Sequence, residues 1–160
     1  MIKLKAFLAN TVLLVTTLLI LFLISEGVVR LLLKDESVLF PRYHTDAQYG
    51  AYTLRRIRPD FDFWHTSIDG RWAFRTNAQG FRNDQDFEYE KPEGRLRVLS
   101  LGDSHTQGYE VRQAHTFSSI IEKSLRARGF EAEVMNAGVS GFSTAESLLF
   151  LENEGVKYQP

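Results

Sequence analysis

The chain has 160 residues, 44% of them hydrophobic and 24% charged, which is the size of one domain and a composition that excludes global disorder. Lys and Arg number 19 against 20 Asp and Glu, leaving a net charge of −1, so no overall basic surface exists to attract nucleic acid. There is no cysteine; disulfides, thiolate metal sites and cysteine nucleophiles are excluded, and an oxidising compartment is suited without being required.

Residues 6–24 carry no charge. At 1.5 Å per residue such a helix is about 28 Å long, close to the hydrocarbon thickness of a bilayer. Asn10, Thr11, Thr16 and Thr17 are its polar interruptions, and threonine is cheap there because its hydroxyl can bond its own helix backbone. Lys3 and Lys5 precede the run, which places the N-terminus in the cytoplasm and the rest of the chain outside, periplasmic or extracellular. The exit, Leu23-Ile24-Ser25-Glu26-Gly27, has no small-x-small cleavage site, so an uncleaved anchor is expected. Val28, Val29, Leu31, Leu32 and Leu33 extend the helix, with Glu26 and Arg30 spaced to pair on one face. The anchor therefore takes residues 1–33.

Residues 34–94 have no long helical period and read as an extracytoplasmic linker with a β-ribbon. Asp69-Gly70 is a two-residue hairpin signal between Thr66-Ser67-Ile68 and Arg71-Trp72-Ala73-Phe74, and a second turn is expected at Gln79-Gly80. Arg55, Arg56, Arg58, Arg71 and Arg75 interleave with Tyr52, Phe61, Phe63, Trp64 and Trp72. That pattern fits either a groove for an anionic polymer or sugar, or a solvated ribbon whose aromatics pack on the main domain, and lone basic patches favour the second. His44 and His65 have no partner at metal-ligand spacing, and no metal site is expected.

From Arg95 the pattern is α/β. The apolar run 95–101 reads as a buried strand and leads into Gly102-Asp103-Ser104-His105-Thr106-Gln107-Gly108. Residues 116–128 follow as an amphipathic helix with Phe117, Ile120, Ile121 and Leu125 on one face and Gly129 as its stop. A second strand at 131–135 enters Asn136-Ala137-Gly138-Val139-Ser140-Gly141, and Ser143-Thr144-Ala145-Glu146 is a capping box opening a further helix. A β-α-β-α unit puts two parallel strands side by side and both glycine turns at their carboxyl ends, where open α/β sheets place ligands. A serine on one turn can act as a nucleophile, and a glycine on the other offers a bare N–H to an oxyanion. Asp103 fits turn stabilisation. His105 and His115 are near Ser104 in sequence, but a base is placed by geometry. The run 102–108 lacks the lysine of a phosphate-binding loop, and no cofactor is expected.

Glycine-Asp-Ser at 102–104 after one strand, with the N-x-G-x-x-G of 136–141 after the next, resembles the SGNH/GDSL hydrolases; the lead-in 76–82 and the apolar start are similar to the membrane-anchored members. The resemblance covers residues 76–160. It implies a flavodoxin-like three-layer α/β/α fold, incomplete here, over residues 95–160. It also implies Ser104 as nucleophile and oxyanion N–H donor, Gly141 as second N–H donor, and Gly102 and Asp103 as the supporting turn. The family's G-x-N-D block is absent, and so is its Asp-x-x-His near the C-terminus, since no histidine follows Gly141. The α/β part is also shorter than the roughly 100–150 residues such a domain takes. The sequence therefore reads as the N-terminal part of a longer enzyme, inactive alone. The implied activity is hydrolysis of ester bonds in acylated glycans or lipids. The alternative is a non-catalytic or acyl-transferring glycan-modification protein on the same fold.

Overall fold

The computed structural model describes residues 2–32 and 43–160. The expected helix end at Leu33 and the start of the linker, 34–42, lie outside the described residues. The chain divides into two units, Met1–Val38 and Leu39–Pro160.

The described residues of the first unit form one helix, α1 (Ile2–Leu32). Its apolar side chains are exposed on every side, and among the described residues it is the helix long and apolar enough to cross a membrane. The Thr11 hydroxyl donates to the Phe7 carbonyl at 3.0 Å, satisfying itself on its own backbone. Glu26 and Arg30 pair at 2.7 Å.

The second unit is mixed α/β and begins with two antiparallel hairpins. Strands β1 (His44–Tyr49) and β2 (Tyr52–Ile57) close with Tyr49 opposite Tyr52. Strands β3 (Asp62–Ser67) and β4 (Gly70–Arg75) close with Ser67 opposite Gly70. The turn of the second hairpin is thus Ile68-Asp69, one residue before the expected Asp69-Gly70. Gly70 instead opens β4 at φ 116, and the Ser67 hydroxyl accepts the Asp69 N–H at 3.1 Å, a side-chain turn that fixes the corner. The turn expected at Gln79-Gly80 is closed by the Gly80 N–H on the Asn77 carbonyl at 2.9 Å. The Asn77 side-chain oxygen accepts the Gln79 and Phe81 N–H groups at 3.1 and 2.8 Å.

Strands β5 (Leu96–Ser100) and β6 (Ala132–Asn136) pair in parallel with Leu96 opposite Ala132. Between them come the one-turn helix α2 (Ser104–Gln107) and helix α3 (Phe117–Ala127), which Thr116 caps. Helix α4 (Thr144–Asn153) follows β6 and opens on the expected capping box: Ser143 Oγ accepts the Glu146 N–H at 3.3 Å and Glu146 Oε2 accepts the Ser143 N–H at 2.7 Å.

Helix α3 differs from expectation in the face it buries. Phe117, Ile120 and Ile121 are exposed, and Ser118 is the residue it buries. Its polar side instead meets β6, where Glu122 accepts the Val134 N–H and Arg126 donates to the Ala132 carbonyl, both at 2.9 Å. Those backbone groups belong to the strand edge facing away from β5, which leaves them open to side-chain partners.

The core runs across the sequence boundary at residue 95. Tyr43, Ile57, Phe74 and Phe81 from the ribbon pack with Met135, Val139 and Phe150. Of the interleaved ribbon aromatics, Trp72 is buried and Phe61 and Phe63 pack partly against this core, while Tyr52 and Trp64 are exposed. Under the parallel sheet lies a buried ion cluster: Glu133 accepts from Arg95 at 2.6 Å and Arg97 at 2.8 Å, and Arg97 also donates to the Tyr158 carbonyl at 2.7 Å. Burial pushes the Glu133 carboxyl up, but the two arginines outweigh it and hold the group below its ordinary 4.5. Every charge in the cluster is partnered, the condition under which buried ions are tolerated.

Candidate active site

Both glycine turns lie at the carboxyl ends of β5 and β6 and are stitched together. The Ala137 N–H donates to the Ser100 carbonyl at 3.0 Å and the Val139 N–H to the Gly102 carbonyl at 2.9 Å, carrying the parallel ladder past the strands. The Ser140 hydroxyl donates to the Gln107 side chain, and the Tyr43 hydroxyl donates to Ser140 Oγ at 3.3 Å. Gly138 permits this approach, since a Cβ there would lie 2.3 Å from the Gln107 backbone nitrogen. Gly102 turns the chain out of β5 at φ 148, a conformation side-chain-bearing residues rarely adopt.

Ser104 is the first residue of α2 and is half-buried. Asp103 caps that turn through Oδ1, which accepts the His105 N–H at 2.9 Å, the supporting role its position implies. No residue of the described chain hydrogen-bonds the Ser104 hydroxyl. It opens into a largely apolar hollow of about 480 Å³ whose lining includes Tyr109, Val111, His115 and Phe117. His105 and His115 share that hollow, and no hydrogen bond joins either imidazole to Ser104. Gly102 and Asp103 instead line a neighbouring hollow of about 250 Å³ with Phe142 and Ser143. Gly141 is exposed on the second turn.

Several residues beneath the site carry weight that the sequence reading did not assign. Arg82, 2% exposed, donates to the carbonyls of Gln107, Gly108 and Val111, which follow Ser104. Its guanidinium lies 4.5 Å from the centre of the Phe74 ring. Burial pulls its pKa down to about 10, and it stays a cation at neutral pH. Asn136 is a buried brace: its side-chain oxygen accepts the Gly138 N–H at 3.2 Å, while Asn83 Oδ1 accepts its backbone N–H at 2.8 Å. Arg82 and Asn136 both lie in segments with a visible signal, the lead-in 76–82 and the N-x-G-x-x-G block. Gln107 gave none.

The ribbon packs on Tyr109, one of the residues lining the hollow. The Tyr109 ring stacks on Tyr43 at 5.6 Å and meets His65 edge-on at 4.3 Å. Burial, with Tyr43 and Glu110 beside it, pushes the Tyr109 phenol up to about 12, so it remains protonated. His65 is buried and pairs with Glu110 at 3.0 Å. Among the described residues no group of three or more His, Asp and Glu side chains could hold a metal ion.

No family model matches the chain, and no curated protein matches it. Among solved structures, the chain is similar to AlinE4, an SGNH-hydrolase family esterase, with 33% identity over 39% of this chain and 33% of that one, at a TM-score of 0.33. A mutant of the same esterase gives the same identity, shares and TM-score. The chain thus spans about a third of that esterase's length.

Proposed function

We propose that this chain carries the nucleophile and part of the oxyanion hole of a membrane-tethered serine hydrolase of the SGNH type. Its α/β part would belong to the three-layer fold of that family. The observation that carries the reading is Ser104, unpartnered at its hydroxyl, on a tight turn at a strand's carboxyl end that lines an apolar hollow and is hydrogen-bonded to the turn that holds Gly141. In this reading Ser104 Oγ attacks the ester carbonyl, and the Ser104 and Gly141 N–H groups hold the oxyanion. The C–O bond to the alcohol then breaks, and the alcohol leaves with a proton. Water cleaves the acyl-serine and returns the acid. The proton from Ser104 goes to the histidine of the Asp-x-x-His block that the resemblance implies downstream of Gly141, where this sequence has no histidine. The hollow suits the acyl group. Helix α1 would tether the chain to the membrane, and the substrates would be acylated glycans or lipids outside the cytoplasm.

Turnover of 4-nitrophenyl acetate by the protein purified from its native membranes tests this. The expected result is hydrolysis that falls by about a thousandfold in Ser104→Ala, as for loss of a covalent nucleophile. Turnover that survives the substitution overturns the assignment. Glycan acetylation in place of hydrolysis would identify the acyl acceptor as a sugar hydroxyl, by the same serine chemistry.

A further inference from the structure

The two hairpins present the same cross-strand pair with opposite outcomes. In the second, Asp62 faces Arg75 and the two form an ion pair at 3.0 Å. In the first, Asp46 faces Arg55, yet no carboxylate among the described residues pairs with Arg55. Its guanidinium is turned to the second glycine turn of the site. There Nη1 is barely within hydrogen-bonding distance of the Ser140 carbonyl, at 3.5 Å, and 2.9 Å from where a Cβ at Gly141 would stand. The space it occupies exists because residue 141 has no side chain. Glu146, the carboxylate of the adjoining helix start, feels the Arg55 charge but takes its hydrogen bonds from its capping-box partner Ser143, which does most to hold it below its ordinary 4.5. An exposed arginine thus forgoes its cross-strand partner and stands with most of its donors unused, next to the glycine assigned to the oxyanion.

We propose that Arg55 is a specificity-determining residue that takes an acidic group on the substrate, close to the ester that Ser104 attacks. The assignment rests on the reading of Ser104 and Gly141 as the reacting site. A guanidinium presents a planar fork of N–H donors that matches a carboxylate or a phosphate, and as a permanent cation it discriminates against the neutral form. The substrate class is accordingly an acylated compound carrying an anion near the acyl group: a uronate-containing glycan or a phosphate-bearing headgroup.

Calorimetric titration of the natively produced, detergent-solubilised protein separates these sources. One pair of probes is trigalacturonate and its methyl ester; the other is glycerol 3-phosphate and glycerol. The acidic member of one pair is expected to bind about tenfold or more tightly than its neutral counterpart, and the pair in which this occurs names the source. Arg55→Gln should abolish the preference, Arg55→Lys should keep part of it, and Ser104→Ala should leave it intact. Absence of preference in both pairs, or a preference that survives Arg55→Gln, overturns the proposal. Labelling of Ser104 by a fluorophosphonate, run on the same preparations, keeps the two readings apart. Labelling without an acid preference removes the role of Arg55 alone, whereas an unlabelled Ser104 removes the reading on which that role rests.

Discussion

Replacing Gly138 with alanine is expected to destabilise the protein by about 2–4 kcal/mol and to pull the two turns of the site apart. The added Cβ would stand 2.3 Å from the Gln107 nitrogen, 2.8 Å from the Thr106 carbonyl carbon and 2.9 Å from the Gln107 Cα. All three are backbone atoms of α2, so no rotamer change relieves the clash. Either α2 or the loop after β6 must move. Movement strains the Val139–Gly102 hydrogen bond and the Ser140–Gln107 contact that join the turns. A urea titration of the detergent-solubilised chain reads the loss as a lower midpoint. An unchanged midpoint would mean that the turns are not packed backbone to backbone.

Arg82→Met should cost a similar amount or more, about 3–5 kcal/mol. Methionine fills much of the buried volume and can still lie on Phe74, but it leaves the carbonyls of Gln107, Gly108 and Val111 without their donor. Those carbonyls end the turn that begins at Ser104. Arg82→Lys should recover part of the loss, because an ammonium supplies the charge but cannot reach three acceptors in a planar fork. The same urea titration checks the order: wild type most stable, lysine intermediate, methionine least. Equal midpoints for all three would show that the buried cation does not hold the turn.

The parts of the fold that were legible in the sequence are those governed by local rules. The uncharged run of α1, the strand and turn at 95–108 and the Ser143–Glu146 capping box each rest on neighbours a few residues apart. The hairpin of β3 and β4 was legible to within one residue, because Ser67 fixes the corner ahead of Gly70. The first hairpin was not, since β1 turns few apolar side chains inward and the residues from Tyr52 to Trp64 belong to two different strands. The buried face of α3 was misread from periodicity, because the open edge of β6 takes Glu122 and Arg126 as partners and leaves Phe117, Ile120 and Ile121 in solvent.

At the site, Ser104, Gly102, Asp103 and Gly141 were named from their turns. The residues that hold those turns came from elsewhere in the chain. Arg82 reaches Gln107 across 25 positions and Arg55 reaches Ser140 across 85. Contacts at such separations leave no periodic trace in one sequence. The contrast between Arg55 and Arg75, each facing an aspartate across its hairpin but opposite in partner, exists only in three dimensions.

The most direct measurement of the central claim is the site of covalent modification by a fluorophosphonate in the native membrane fraction, read by mass spectrometry of the digested protein. A single adduct on Ser104 is expected, absent in Ser104→Ala and retained in Arg55→Gln. An adduct on any other serine, or an unmodified Ser104 in protein that is otherwise folded, would contradict it.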